Sequence, residues 1–234
     1  MKTRLILTIF GAVLLLVSAV QISIDYMKDK NISDREAAVS KKADYCIFIE
    51  VEDKTLYLLD NGKCIKQYPV ASGKSGYPSP LGYWRITEKG DWGEGFGGRW
   101  MGLNVPWGTY GIHGTLSDNS IGTPASAGCI RMFNEDVAEL YNIVPVGTPV
   151  VIVNGSFGPF GRGFSDIFPG DTGADVLEIQ RRLKDLGYYK GSLDGRYEDE
   201  MKKALHQFQK DHKLEVKNEL TKDDWLAMGF REFE

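Results

Sequence analysis

Residues 111–132 read GIHGTLSDNSIGTPASAGCIRM and place His113 16 residues before Cys129, in a run rich in glycine and small polar residues. A thiol is nucleophilic only as the thiolate, and with an ordinary pKa near 8.5 only about 3% of it is ionised at pH 7. A neighbouring imidazolium would lower that pKa and raise the thiolate fraction. The other two histidines, His206 and His212, lie in a C-terminal helical segment, so His113 is the candidate partner of Cys129.

The glycines of this run are consistent with an active site. Gly111, Gly114 and Gly128 permit close backbone approach, and N–H groups near Gly128 and Cys129 could receive an oxyanion. From the residues alone, Cys129 could instead be a small buried hydrophobe and His113 an ordinary loop histidine. No C-x-x-C or H-x-x-x-H occurs and the three cysteines are dispersed, so neither a metal nor another cofactor is predicted.

The segment around these two residues has the sequence pattern of a β-rich domain, and we expect this domain to span residues 45–153. Short β-rich runs separated by the turn Asn61-Gly62 predict a hairpin meander. Apolar residues at helical spacing after Asn134, a good N-cap, predict a short helix, and the run PVVIV at 149–153 predicts the strand that closes the sheet. Four aromatic residues either line a cleft for a peptide or pack in the core: Tyr83, Trp84, Trp100 and Trp107.

A second, smaller unit follows. Residues 154–170 combine five glycines with four phenylalanines, which predicts a linker that docks on one domain rather than a free tether. From residue 171 to 234 the apolar period changes from two to 3.6 and predicts three helices, the last beginning with a capping box at Thr221. We expect a small all-α module there.

The N-terminus reads as an export signal. Lys2 and Arg4 precede an uncharged apolar run, so residues 1–24 are either a signal anchor in the membrane or a cleaved signal peptide. The charged composition of residues 25–44 predicts a solvated stalk, and we expect the chain beyond it to face outward. There Cys46 and Cys64, expected on adjacent strands, either form a disulfide or remain free thiols. The net charge of −4, without a long basic run, argues against a nucleic-acid partner.

Taken together, the motifs HGT and S-x-G-C-I-R-M resemble the signature of the L,D-transpeptidase catalytic domain of the YkuD type. The segments KTLYLLDNG, YPVASGK and YGIHGT extend the resemblance over about 45–153. It implies a β-sandwich catalytic domain with Cys129 as nucleophile and His113 as general base and acid, oriented by the carbonyl of Gly114. Arg131 would either hold a substrate carboxylate or brace the loop, and Ser126 would support the loop by hydrogen bonding. Where many members have histidine, this chain has Ala127.

The C-terminal module is similar to the peptidoglycan-binding type 1 domain, through residues such as Gly170-Asp171, Leu186-Gly187 and Asp194-Gly195. Both resemblances imply peptidoglycan as partner and a place in the cell envelope. They imply a multidomain enzyme that releases D-alanine from stem peptides through a thioester and cross-links third stem residues. Two alternatives stay open: an L,D-carboxypeptidase using the same site, and a non-catalytic peptidoglycan-binding scaffold.

Overall fold

The computed structural model describes residues 43–231. The predicted signal segment 1–24 and nearly all of the stalk 25–44 lie outside the described residues. Among residues 43–231, no helix is both long enough and apolar enough to cross a bilayer. Within the same range the β-rich part precedes the helical part, in the order expected from the change of period.

The strands are β1 (Tyr45–Glu50), β2 (Thr55–Asp60), β3 (Lys63–Pro69), β4 (Ser72–Gly73), β5 (Gly82–Gly90), β6 (Trp100–Leu103), β7 (Tyr110–His113), β8 (Pro124–Ser126), β9 (Ile130–Arg131) and β10 (Pro149–Val153). The helices are α1 (Asn134–Ile143), α2 (Ala174–Asp185), α3 (Asp199–Asp211) and α4 (Lys222–Ala227), with short 3-10 turns at Glu94–Phe96, Asp118–Ser120 and Gly158–Phe160. The predicted turn between β2 and β3 is confirmed, with φ of 49° at Asn61 and 75° at Gly62. Positive φ at both positions matches the twist of a two-residue hairpin.

The β-rich part is built on one eight-stranded sheet in the order β3-β2-β1-β10-β5-β6-β7-β9, beside a small sheet of β4 and β8. The first half of β5 pairs with β10 and its second half pairs with β6. Residues from both halves of the sheet share one apolar core. The predicted β-sandwich therefore corresponds to two halves that share β5 and contribute to one core.

Two sequence expectations about strand order were wrong. β10 does not close the sheet; it lies inside it, parallel to β1 and antiparallel to β5, and its alternate residues Val150 and Ile152 are fully buried. Cys46 and Cys64 are not on adjacent strands, since both are in register with Leu59 of the intervening β2. Two strand spacings of about 4.8 Å separate them, which is beyond disulfide reach, and both are free thiols.

The helical part contains α2, α3 and α4 around a second apolar core that includes Leu183, Phe208 and Trp225. The predicted capping box is confirmed, because the Asp224 carboxylate accepts the Thr221 backbone N–H at 2.8 Å. We call these three helices and their connections the helical module.

The segment between the two parts contacts both of them, not one. Phe160 and Phe164 pack against Trp225 of the helical module, with centroids 4.9 Å from it in each case. On the other side, Arg162 forms an ion pair with Glu52 in the turn after β1. Leu177 of α2 belongs to the core of the β-rich part. The helical module is thus docked on the sheet rather than suspended from it.

Candidate active site

His113 and Cys129 are brought together by two neighbouring parallel strands. His113 ends β7 and is directly opposite Arg131 of β9, while Ile112 is opposite Ile130. The two isoleucines are buried in the core, at 0% and 1% exposure. Because side chains alternate along a strand, His113, Cys129 and Arg131 belong to the opposite face of the sheet. A histidine and a cysteine 16 residues apart therefore become diagonal neighbours across a strand pair.

Cys129 is the last residue of a tight turn, residues 126–129, which we call the nucleophile turn. The Ser126 hydroxyl donates to the Cys129 carbonyl at 2.6 Å and accepts the Gly128 N–H at 3.0 Å. Gly128 has a φ of 116°, and a Cβ there would lie 2.6 Å from Cε1 of Tyr110. Only glycine fits this position without strain or displacement of the tyrosine. Ser126, 1% exposed, holds the turn together from inside.

This geometry corrects the predicted use of the Gly128 N–H. It is directed at Ser126 Oγ and so is not free to receive an oxyanion. Within residues 43–231, the N–H of Cys129 donates to no protein acceptor. The remaining backbone donor at this point of the turn is therefore that of the cysteine itself.

The imidazole of His113 is held in one orientation. Its Nδ1 lies 2.5 Å from the carbonyl oxygen of Gly114, so in the neutral ring Nδ1 carries the proton and Nε2 is the basic nitrogen. The rings of Phe96 and Trp100 lie against it, at centroid distances of 4.8 and 5.8 Å. At 5% exposure, His113 is almost wholly removed from solvent.

The prediction that Asn134 is the N-cap of a helix was wrong. Asn134 is the first residue of α1, but its side chain does not cap that helix; its Oδ1 accepts the Thr115 N–H at 2.9 Å. A Cβ on Gly114 would lie 2.3 Å from the same oxygen. Asn134 thus fixes the backbone immediately after His113. Sequence reasoning missed this role because an asparagine before a helical pattern is also the ordinary signal of an N-cap.

The pKa shifts of the pair act against a thiolate–imidazolium ion pair. Burial lowers the pKa of His113, and the Arg131 charge lowers it further against the opposing effect of the Gly114 carbonyl. Burial raises the pKa of Cys129, although the Gly111 N–H and Arg131 act in the opposite direction. Both shifts favour the neutral forms, a thiol beside an imidazole. The imidazolium inferred from sequence would have lowered the thiol pKa instead.

Arg131 is partly exposed. Its backbone N–H donates to the carbonyl of Ala71 at 2.9 Å, and its carbonyl accepts the Ala71 N–H at 2.8 Å, which links β9 to the segment before β4. Its guanidinium forms no ion pair with any carboxylate among residues 43–231. The same range contains no cluster of three or more histidine, cysteine or acidic side chains suited to a metal. The site has the composition of a thiol, an imidazole and an unpaired guanidinium.

The predicted cleft aromatics divide between core and surface. Trp84 and Trp100 are buried at 5% and 1% exposure, whereas Tyr83 is 73% exposed. Trp107 packs edge-on against Trp84 at 5.4 Å and lies at the boundary with the helical module, where its carbonyl accepts a hydrogen bond from Arg196 at 3.1 Å. Trp107 is therefore the one of the four that faces the second part of the chain.

A thiol and an imidazole on adjacent strands of a mostly-β domain, with a helical module docked beside them, define the class of protein. Residues 44–152 match the "L,D-transpeptidase catalytic domain" family (YkuD), and residues 172–223 match the "Putative peptidoglycan binding domain" family. The chain is 34% identical to "Putative L,D-transpeptidase YqjB" of Bacillus subtilis over 140 residues, a match covering 53% of this chain and 76% of the relative.

A second B. subtilis protein, "Putative L,D-transpeptidase YkuD", is 44% identical over 109 residues, a match covering 46% of this chain and 65% of the relative. Among solved structures, the L,D-transpeptidase (Yku) of Stackebrandtia nassauensis aligns with a TM-score of 0.41 and 26% identity, over 48% of this chain and 56% of that one. The chain belongs to the L,D-transpeptidase family, with a YkuD-type catalytic domain followed by a peptidoglycan-binding type 1 domain.

Proposed function

We propose that this protein is an L,D-transpeptidase that acts on peptidoglycan stem peptides through a thioester on Cys129. It releases the terminal D-alanine and joins the third residue of the donor stem to the third residue of a neighbouring stem. The observation that carries the proposal is the pairing of β7 with β9, which puts His113 and Cys129 on one face inside the family match. Family membership and the second domain support peptidoglycan as the substrate.

In the first step, Nε2 of His113 takes the thiol proton of Cys129 as the sulfur attacks the carbonyl carbon of the third stem residue. The C–N bond to D-alanine breaks, and His113 passes the proton to the departing nitrogen. The fixed Nδ1 contact with the Gly114 carbonyl supports this assignment, because it leaves Nε2 unprotonated. The neutral pair supports base catalysis at the moment of attack rather than a preformed thiolate.

Two further groups have roles in this proposal. The Cys129 N–H stabilises the developing oxyanion, since the Gly128 N–H is occupied by Ser126. The unpaired guanidinium of Arg131 holds a carboxylate of the donor stem, as a bidentate arginine contact does elsewhere. Ser126 and Gly114 act by positioning the two reacting residues.

The test uses the full chain, purified disaccharide-tetrapeptide, and mass spectrometry for free D-alanine, a Cys129 acyl adduct and cross-linked dimer. We expect all three from the wild type and none from Cys129→Ala. Cys64→Ala is the matched control, because it removes an exposed free thiol remote from β9 in the sheet order. D-alanine without dimer would identify a carboxypeptidase. Absence of both D-alanine and adduct would overturn the enzymatic proposal and favour a binding scaffold.

We also propose that the protein works in the cell envelope, held at the membrane by residues 1–24. The support is the peptidoglycan-directed domain pair together with the apolar N-terminal sequence. Protease digestion of intact protoplasts should remove the domains from the outer surface. The mass of the remaining membrane-bound fragment should show that it still contains the N-terminus. A mature protein that begins after about residue 20 would instead identify a cleaved signal peptide.

A further inference from the structure

A cavity of about 410 Å³ lies where the sheet, the linker and the helical module meet. Its sheet side comprises the loop 76–81 together with Trp107, Tyr110 and Ala127. Its other walls come from Phe160 of the linker and from Asp175 and Trp225 of the helical module. The second domain therefore supplies part of a chamber that the β-rich part does not form alone.

The cavity borders the nucleophile turn at Ala127. Ala127, which lines it, is two residues before Cys129 in the chain. The two groups that crowd Gly128, the Tyr110 ring and the Pro78 carbonyl, belong to residues that line the cavity as well. Arg131 follows Cys129 on the other side, about 6.6 Å further along the strand direction. Along the chain, Cys129 thus lies between Ala127, which borders the chamber, and Arg131.

The charge of the chamber is opposite to that of Arg131. Asp175 carries the only ionisable carboxylate among the lining residues, which include no lysine, arginine or histidine. Its Oδ1 accepts the Val176 N–H at 2.8 Å, and no cation among residues 43–231 forms an ion pair with it. Burial raises the pKa of this carboxyl because water solvates the carboxylate poorly. A cation that enters the chamber would supply the interaction that water does not.

The walls suit the rest of an amine-bearing chain. Trp107, Tyr110, Phe160 and Trp225 present aromatic surface, on which the methylene groups of a diamino acid can pack and near which an ammonium group is favourable. Where the nucleophile turn borders the chamber, Ala127 contributes only a methyl side chain.

We propose that this chamber is the acceptor subsite of the transpeptidation reaction, and that Asp175 of the peptidoglycan-binding domain selects the side-chain amine of the acceptor stem. The inference rests on the proposed function. The amine arrives as an ammonium ion and loses one proton to water. Its nitrogen then attacks the thioester carbonyl, the C–S bond breaks, and His113 carries the second proton from nitrogen to the departing sulfur of Cys129. The products are an amide cross-link and the free thiol.

Asp175→Asn removes the charge and keeps an oxygen for the Val176 N–H. We expect the KM for the acceptor to rise about 10-fold and the ratio of dimer to hydrolysed product to fall accordingly. Acylation of Cys129 by the donor without acceptor should be unchanged. Asp185→Asn is the matched control, because Asp185 is an exposed carboxylate at the opposite end of the same helix.

A second pair of variants tests the chamber itself. Ser165 lines the cavity and contributes only its backbone carbonyl, to Trp225 Nε1 at 3.1 Å, so Ser165→Arg introduces a cation there. Ser192→Arg makes the same change at an exposed site of the helical module, where the serine likewise accepts a hydrogen bond through its backbone carbonyl. We expect the first variant to raise the acceptor KM about 10-fold and the second to leave it within about twofold.

Binding separates this inference from the proposed function. In the Cys129→Ala background, disaccharide-tripeptide with a free side-chain amine should bind about 10-fold more weakly when Asp175 is replaced by Asn, whereas the same peptide with an acetylated amine should bind both forms equally. If Asp175→Asn lowers the Tm but leaves the acceptor KM and the binding of the tripeptide unchanged, Asp175 only stabilises the N-terminus of its helix. That result would overturn the inference. Failure of the wild type to form an acyl adduct would overturn the proposed function, and the binding result would still decide the subsite.

Discussion

Ser126→Ala is the sharpest test of how the nucleophile turn is held. The change removes a hydroxyl that accepts from Gly128 N–H at 3.0 Å and donates to the Cys129 carbonyl at 2.6 Å. A net hydrogen bond contributes about 0.5–1.5 kcal/mol, and leaving a buried partner unpaired costs about 1–3 kcal/mol. Ser126 is 1% exposed, so water replaces the hydroxyl poorly. With about 1–1.5 kcal/mol for each of the two hydrogen bonds, their loss amounts to about 2–3 kcal/mol.

If that free energy is lost in the transition state, kcat/KM for D-alanine release falls about 30- to 150-fold. The assay is initial-rate release of D-alanine from disaccharide-tetrapeptide, with Tm measured in parallel. Ser126→Thr keeps the hydroxyl and should lose less than about fivefold. Ser120→Ala is the control, since it removes an exposed hydroxyl that donates to the Ser117 carbonyl at 2.6 Å. A Ser126→Ala enzyme within twofold of wild type would refute the reasoning, as would equal losses in the alanine and threonine variants.

The remaining predictions concern the charge state, the backbone and the cysteines. Because burial raises the pKa of Cys129, its alkylation by iodoacetamide should accelerate about 10-fold per pH unit from pH 7 to 9, whereas a thiolate paired with imidazolium would react at a constant rate over that range. Asn134→Ala removes the acceptor of the Thr115 N–H, 2.9 Å away, and should lower kcat about 3- to 10-fold, measured by D-alanine release. Without any reductant, denatured protein should take up label at Cys46 and Cys64, as intact mass would record; a mass deficit of two labels would indicate the disulfide.

Two comparisons make these outcomes specific. Asn142→Ala, at an exposed position near the end of the same helix as Asn134, should leave kcat unchanged. In Cys129→Ala, the peptide that contains position 129 should take up no label at any pH, while Cys64 continues to react. A flat pH profile at Cys129 would mean that His113 is protonated in the resting site, contrary to the burial that lowers its pKa.

The residues of the site could be predicted from the sequence, but the geometry of the site could not. His113, Cys129 and Arg131 were selected by residue type and local motif, and the strand pairing places them on one face of two strands. Their protonation could not be predicted from the sequence, because a pKa depends on burial and the sequence gives no measure of how much water the folded site excludes. The charge of a thiol–imidazole pair is a property of its surroundings.

The same division applies to the fold. The hairpin at Asn61-Gly62, the capping box at Thr221 and the change of period before α2 are local patterns, and each is present in the structure. The interior place of β10 is a long-range result, because several sheet orders bury the same apolar strand equally well. The separation of Cys46 from Cys64 follows instead from the local meander, in which β2 lies between β1 and β3.

By itself, the sequence determined the chemistry available: one histidine and one cysteine in a glycine-rich run, and two units with different apolar periods. These are properties of residue type and of local backbone preference, which do not depend on distant parts of the chain. Only the tertiary structure decided which backbone N–H remains free at Cys129, what Asn134 binds, and that Asp175 faces a chamber shared by both domains. Each of these depends on contacts between segments far apart in sequence, which are fixed when the strands pair and the helical module docks.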